Sequence, residues 1–272
     1  MIRNPAVAGS FYYYDPQVLY KQIDEFVDKK ARKENALGVM SPHAGYVYSG
    51  RIAAKVYSKI TPADTYIILG PNHTGMGAEF AIMREGEWRT PLGNIKVNSQ
   101  LAEDILVHSR LLENDFLAHQ REHSIEVQVP FMQYFGSGFQ IVPITVAHYP
   151  PTGEFLKMLE DVSNAIASAV KKTREKVTIV ASTDLTHYEP QDIAREKDKA
   201  AMDAILSLDE SRLFNEIRSK GISMCGYGPT AVMLQASKKL GANKTERVGY
   251  MTSGDTTGDY EQVVGYGGII VR

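Results

Sequence analysis

Short β-rich runs alternate with amphipathic helical stretches along this chain, and that alternation constrains its fold more than any other feature. Thr65-Tyr66-Ile67-Ile68-Leu69 is apolar and closed by Gly70-Pro71, which predicts a buried strand. Comparable runs occupy residues 36–40, 139–146 and 177–181, with Pro143 an awkward guest inside the second. Between them lie helical patterns. Asp15 is placed to cap a helix with Pro16 at its first position, and Val18, Leu19, Ile23, Phe26 and Val27 form its apolar stripe. Ser49 is the expected cap of a second helix carrying Ile52, Ala53, Val56, Tyr57 and Ile60. Residues 100–108, 125–135, 152–171, 192–207 and 230–240 continue the helical pattern. Residues 247–251 and 263–271 return to strand and are free to pair antiparallel. Residues 83–97, with Gly86, Pro91 and Gly93, suggest a hairpin decorating the sheet. The expected fold is α/β, an αβα sandwich with a largely parallel or mixed central sheet. A length of 272 residues suits one large domain over residues 1–272, given about 150 residues for a typical domain.

Composition narrows the partners. Thirty Lys+Arg against thirty-two Asp+Glu leave a formal charge of −2, which supports neither a nucleic-acid groove nor a polybasic membrane anchor. No apolar stretch approaches a membrane span. The opening Met1-Ile2-Arg3-Asn4-Pro5 lacks a secretory apolar region. A single cysteine excludes an intrachain disulfide and a multi-cysteine zinc site. A soluble, cytoplasmic protein with no nucleic-acid or membrane partner is expected.

The chemistry collects where the predicted strands end. Residues 36–40 open into Ser41-Pro42-His43-Ala44-Gly45-Tyr46, and 65–69 into Gly70-Pro71-Asn72-His73-Thr74-Gly75. Residues 177–181 open into Ser182-Thr183-Asp184-Leu185-Thr186-His187, and 139–146 lead into His148. Ligands of open parallel sheets bind beyond the carboxyl ends of the strands, so these loops are expected on one rim. Four of the seven histidines follow strands in this way. His43 and His73 hold equivalent places, which favours a functional role over that of a turn residue. His108 and His119 read as ordinary polar residues. Asp184 and His187, three apart, suit an acid/base pair, or else Asp184 serves as a turn or helix cap. Cys225, in Met224-Cys225-Gly226-Tyr227-Gly228-Pro229, precedes a helix start whose dipole favours thiolate. It is either a nucleophile or metal ligand, or a small buried apolar residue. In Glu122-His123-Ser124-Ile125-Glu126, Ser124 is positioned to cap a helix, and Glu122 and His123 face either solvent or the pocket. Their roles and that of His148 stay open.

Taken together, Ala8-Gly9-Ser10-Phe11-Tyr12, the stretch from Ser41 to Gly50, Gly70-Pro71-Asn72-His73, Glu122-His123-Ser124-Ile125-Glu126, the stretch from Ser182 to Tyr188, Cys225-Gly226 and Gly265-Tyr266-Gly267 resemble the Memo family. Its prokaryotic members are commonly labelled AmmeMemoRadiSam system protein B. The resemblance spans the whole chain. It implies a fold similar to class III extradiol ring-cleavage dioxygenases, non-haem iron enzymes with a two-histidine, one-carboxylate site. It makes His43 and His73 metal-binding, puts Cys225 in the third ligand position, and places Asp184 and His187 in the same pocket. Cysteine in place of carboxylate is softer and oxidisable, which argues against inherited ring cleavage. The expectation is a redox-linked metal-binding protein using a divalent ion, iron or copper first and zinc next, acting on an unknown small molecule or peptide. The alternatives are a zinc-dependent hydrolase and a non-catalytic binding protein that uses the cleft alone.

Overall fold

A computed structural model describes all residues, 1–272. Four strands form the parallel centre of a nine-stranded sheet: Gly38–Ser41, Val177–Ser182, Thr65–Pro71 and Gln140–Val146, adjacent in that order. All but Gln140 are fully buried along these strands, as apolar runs covered on both faces require. The flanks are antiparallel. Val263–Val271 pairs with Gly38–Ser41, and Phe80–Ile82 pairs with Gln140–Val146. The sheet is therefore mixed. Thr245–Thr252 and Val263–Val271 pair antiparallel as expected, with the register shifting between Arg247 and Gly249.

Pro143 is accommodated by a short neighbour. Its carbonyl accepts from Met83 N–H on the Phe80–Ile82 side, so its missing N–H faces that same side, where the strand has already ended. Two consecutive residues of the last strand define the layers. A side chain on Gly267 would meet Leu185 and Met202, while one on Gly268 would meet Val56 and Ile52. Helices thus cover both faces: Tyr46–Lys59 with Pro16–Phe26 and Val129–Phe135 on one, and Gln191–Leu206, Glu210–Lys220, Tyr227–Lys239 and Gly153–Val170 on the other. One apolar cluster of 66 buried residues runs through the structure. Residues 83–97 do form a hairpin, Glu87–Thr90 with Gly93–Lys96, and Ile2–Arg3 adds a parallel third strand. No helix is long and apolar enough to cross a membrane.

Local corrections have local causes. Asp15 caps its helix as expected, accepting from Gln17 and Val18 N–H at 2.9 Å. Ser49 caps nothing. The helix begins earlier, at Tyr46, because Tyr46 N–H is satisfied by the Phe11 carbonyl, and Ser49 bonds back to Ala44. Ser124 is not a cap either. Its hydroxyl donates to the Pro71 carbonyl, and the expected long helix resolves into a 3-10 turn, Glu126–Gln128, before Val129–Phe135. The Cys225 loop ends sooner than expected, its helix starting at Tyr227. An unexpected helix, Glu210–Lys220, is capped by Asp209 and closed by Gly221 at φ +58°.

Candidate metal centre

The parallel strands deliver their carboxyl-terminal loops to one place. His43, His73 and His123 offer ring nitrogens that all lie within 4.8 Å of one another. Cys225 lies beside His43, its Sγ 3.3 Å from His43 Nε2, but it is not one of the three donors that all come within 4.8 Å of one another. Donors around a tetrahedral ion with bonds near 2.0–2.3 Å stand roughly 3.3–3.8 Å apart, so the His43–Cys225 separation already fits a shared ion. His43 is 2 % exposed, and the His73 and His123 side chains are 33 % and 22 % exposed. The group has a buried floor and an open side.

Two close approaches build it. A Cβ on Gly70 would sit 2.3 Å from Ser124 Oγ, so only glycine lets the 122–125 segment press against this strand end. A Cβ on Gly226 would lie 2.5 Å from Thr183 Cβ and 2.6 Å from the Ser182 carbonyl, so glycine also seats Cys225 against Asp184.

Hydrogen bonding fixes the tautomers. Ser182 Oγ donates to the Ser124 carbonyl at 2.5 Å and accepts from Gln128 Nε2 at 2.8 Å. Toward His43 Nδ1, 3.0 Å away, it is therefore an acceptor. His43 carries its proton on Nδ1 and turns a bare Nε2 toward Cys225. Burial, then the neighbouring His73, His123 and His187, holds His43 well below the usual histidine range and keeps it neutral. His73 is set in a similar way. Its Nδ1 lies 2.9 Å from Glu122 Oε1, and its backbone N–H meets Oε2 at 2.6 Å. Burial alone would raise the Glu122 carboxyl, but the His73 hydrogen bond, the His73 and His123 charges and the Ser124 N–H bring it down to about 2. Glu122 is thus the charged orienter of His73, leaving His73 Nε2 free as a donor. His123 stacks on His73 at 4.7 Å and packs against Phe11 at 4.8 Å. Burial lowers its affinity for a proton.

Asp184 is a clamp as well as a neighbour. Its Oδ1 accepts from His43 N–H at 2.8 Å, and its Oδ2 lies 3.9 Å from His43 Nε2. Burial raises its carboxyl despite the His43 and Ala44 N–H groups and the His187 charge that oppose the rise. His187 bonds through Nδ1 to the Leu185 and Ser223 carbonyls at 2.7 and 3.0 Å, which leaves Nε2 unused. Cys225 corrects an expectation. The helix start does not make it a thiolate, since burial and then the Asp184 charge push the thiol up to about 12. The thiol accepts from Asp184 N–H at 3.3 Å. The sequence leaves the directions of both Glu122 and His123 open; the Gly70 contact turns them inward. His148 stands at the rim, exposed, with Nδ1 3.4 Å from the Cys225 carbonyl. His108 lies outside, bonding Asp104 and Lys172.

The model of the Memo family, described as Memo-like protein, matches residues 3–270. The chain belongs to the Memo family. A MEMO1 family protein of Methanosarcina barkeri is 44% identical to it over 273 residues, covering 100% of both chains. One from Methanothermobacter thermautotrophicus is 42% identical, covering 98% of this chain and 99% of its own. A third, from Pyrobaculum aerophilum, is 43% identical over 99% and 98%. The Memo match therefore takes in every loop that contributes to the histidine cluster.

Proposed function

We propose that this Memo protein binds a redox-active divalent metal, iron or copper, through His43, His73 and Cys225, with Asp184 and His187 handling protons beside it. The observation that carries the reading is the neutral His43 Nε2 facing the only cysteine sulfur at 3.3 Å, with two further imidazoles in reach. Imidazole and thiolate suit copper, iron and zinc, whereas hard ions prefer oxygen. A bound ion would supply Lewis acidity and, for iron or copper, electron transfer.

The chain's own part is protonic. Cys225 is a neutral thiol beforehand, so ligation must displace its proton. Asp184, whose Oδ2 lies 3.9 Å from His43 Nε2 and whose carboxyl is readier than an ordinary one to hold a proton, would take it. His187 Nε2 supplies a second acceptor. His123 adds a third imidazole that would help to hold the ion on the open side. Sulfur at this point argues against ring cleavage, since a thiolate is itself oxidised by the oxygen such a reaction consumes.

The test is elemental analysis after anaerobic purification, followed by titration of the protein, Cys225→Ser and Cys225→Asp with ferrous, cupric and zinc ions. Cys225→Ser should weaken binding by about tenfold or more, and Cys225→Asp less, because it restores an anionic ligand. Catechol should give little oxygen uptake. Zinc alone, without redox cycling, would favour a hydrolase, and a metal-indifferent chain would favour a binding protein. Fast ring cleavage, or metal binding insensitive to both substitutions, would overturn the proposal.

A further inference from the structure

A cavity of about 540 Å³ lies against the Cys225 segment, lined by His148, Pro150, Pro151, Ile217, Arg218, Ile222 and Tyr227. Ile222 and Tyr227 belong to the same connection as Cys225, and the His148 ring reaches the Cys225 carbonyl. The cavity and the metal centre therefore share a wall. Its lining is mixed: two prolines, two isoleucines and a tyrosine ring packed edge-on against His148 at 5.0 Å supply the apolar part, and His148 and Arg218 the polar part. One full positive charge faces this surface. On the helix Glu210–Lys220, Arg212 and Lys220 share Glu216 at 3.9 and 3.6 Å. Arg218 instead bonds the neutral Asn215 Oδ1 at 3.1 Å and has no carboxylate partner. His148 lies with Nδ1 3.4 Å from the Cys225 carbonyl, which leaves Nε2 unused by the protein.

We propose that this cavity binds a small organic monocarboxylate with a flat or branched apolar body, the carboxylate on Arg218 and the body against Tyr227, Ile222 and Pro150. A guanidinium offers two parallel N–H groups that match a carboxylate. The lining holds no lysine and no second arginine, so the charge supplied balances one negative charge and not the two of a phosphate monoester. A hydroxyl or amide on the ligand would find His148 Nε2. Small-molecule sites combine such apolar walls with few convergent polar groups. The inference does not depend on a metal, although a ligand held here would lie along the wall that carries Cys225.

The test uses the full chain with isoleucine methyl labels, treated with chelator, and benzoate, benzamide and phenyl phosphate as probes. Benzoate should shift the Ile217 and Ile222 methyl signals saturably, and benzamide should bind more weakly. Arg218→Gln, at an exposed position, should weaken benzoate by about tenfold or more, the worth of a charge-assisted hydrogen bond, while leaving benzamide unchanged. Tighter binding of phenyl phosphate, equal binding of benzoate to Arg218→Gln, or the absence of shifts at Ile217 and Ile222 would overturn the proposal. Because the protein is chelator-treated, failure of the metal proposal leaves this result intact, and the converse also holds.

Discussion

At the scale of residues, two buried carboxylates four apart divide the labour. Glu122 orients His73 from within the centre, whereas Glu126 faces away and gathers the N-terminal segment. It accepts from Ala6 and Val7 N–H at 2.7 and 3.1 Å and from Tyr12 OH at 2.6 Å, and it pairs with Arg3. Glu122→Gln should therefore lower metal affinity by roughly 10–100-fold, the usual cost of losing an orienting partner, with a modest change in stability. Glu126→Gln should do the reverse, since it breaks a buried pair with Arg3, and Glu126 takes a hydrogen bond from none of the cluster imidazoles. Parallel metal titrations and chemical denaturation of the two variants decide this, and equal effects on metal affinity would refute the division. The roles were unevenly legible. His43 and His73 announced themselves by their places after apolar strands. Glu122 and His123 did not, because an acid and a histidine beside a presumed helix start read equally well as solvent-facing. Their direction is set by the contact at Gly70, and a glycine's neighbours in space are not written in its neighbours in sequence.

At the scale of elements, the Cys225 connection depends on a missing side chain. Gly226→Ala would drive a Cβ into Thr183 and the Ser182 carbonyl, atoms of a buried strand end that cannot retreat. The expected outcome is a stability loss of about 1–3 kcal/mol, accompanied by loss of metal binding as Cys225 is pushed from His43. Gly153→Ala is the control. It meets nothing within 4 Å and opens a helix, so it should be neutral or mildly stabilising. Thermal melts and metal titration of both variants check the pair. Element reading from sequence succeeded where burial is uniform, as in Thr65–Pro71, and where a cap is chemically explicit, as at Asp15. It overlooked Glu210–Lys220, although Asp209, the apolar Leu213, Phe214 and Ile217, and Gly221 carry its signature. It misplaced the helix starts at Tyr46 and Tyr227, where distant backbone groups or tight loop packing replace a capping side chain.

For the whole molecule, the parallel order of four strands brings His43, Asp184, His73 and His148 to one rim, and this much the strand-end loops foretold. Stability has its own buried histidine. His119 is 0 % exposed, neither ring nitrogen has a partner, and the ring meets Trp88 edge-on at 5.9 Å. Burial, then the Arg3 charge, takes it down to about 3. An unfolded histidine takes up a proton near 6.5, so between about 6.5 and 3 the unfolded chain binds a proton that the folded one refuses. Its stabilising contribution is complete above pH 6.5 and is lost as pH falls toward 3, by up to about 4 kcal/mol. His119→Phe should keep the ring contact and remove this part of the acid sensitivity. Denaturation at stepped pH, followed by fluorescence of the single tryptophan, measures it. Parallel pH curves for the two proteins would contradict the assignment.

The clamp around Glu126 also sets an order of events in time. Its donors come from residues 3 to 12, separated from it by 114 to 123 positions. During synthesis residues 3 to 12 cannot close this clamp until more than a hundred further residues have followed them. Closing loops of that length slows folding far more than it weakens the finished structure. Residues 3 to 12 are thus locked late, and Phe11, which supports both Tyr46 and His123, is held fast with them.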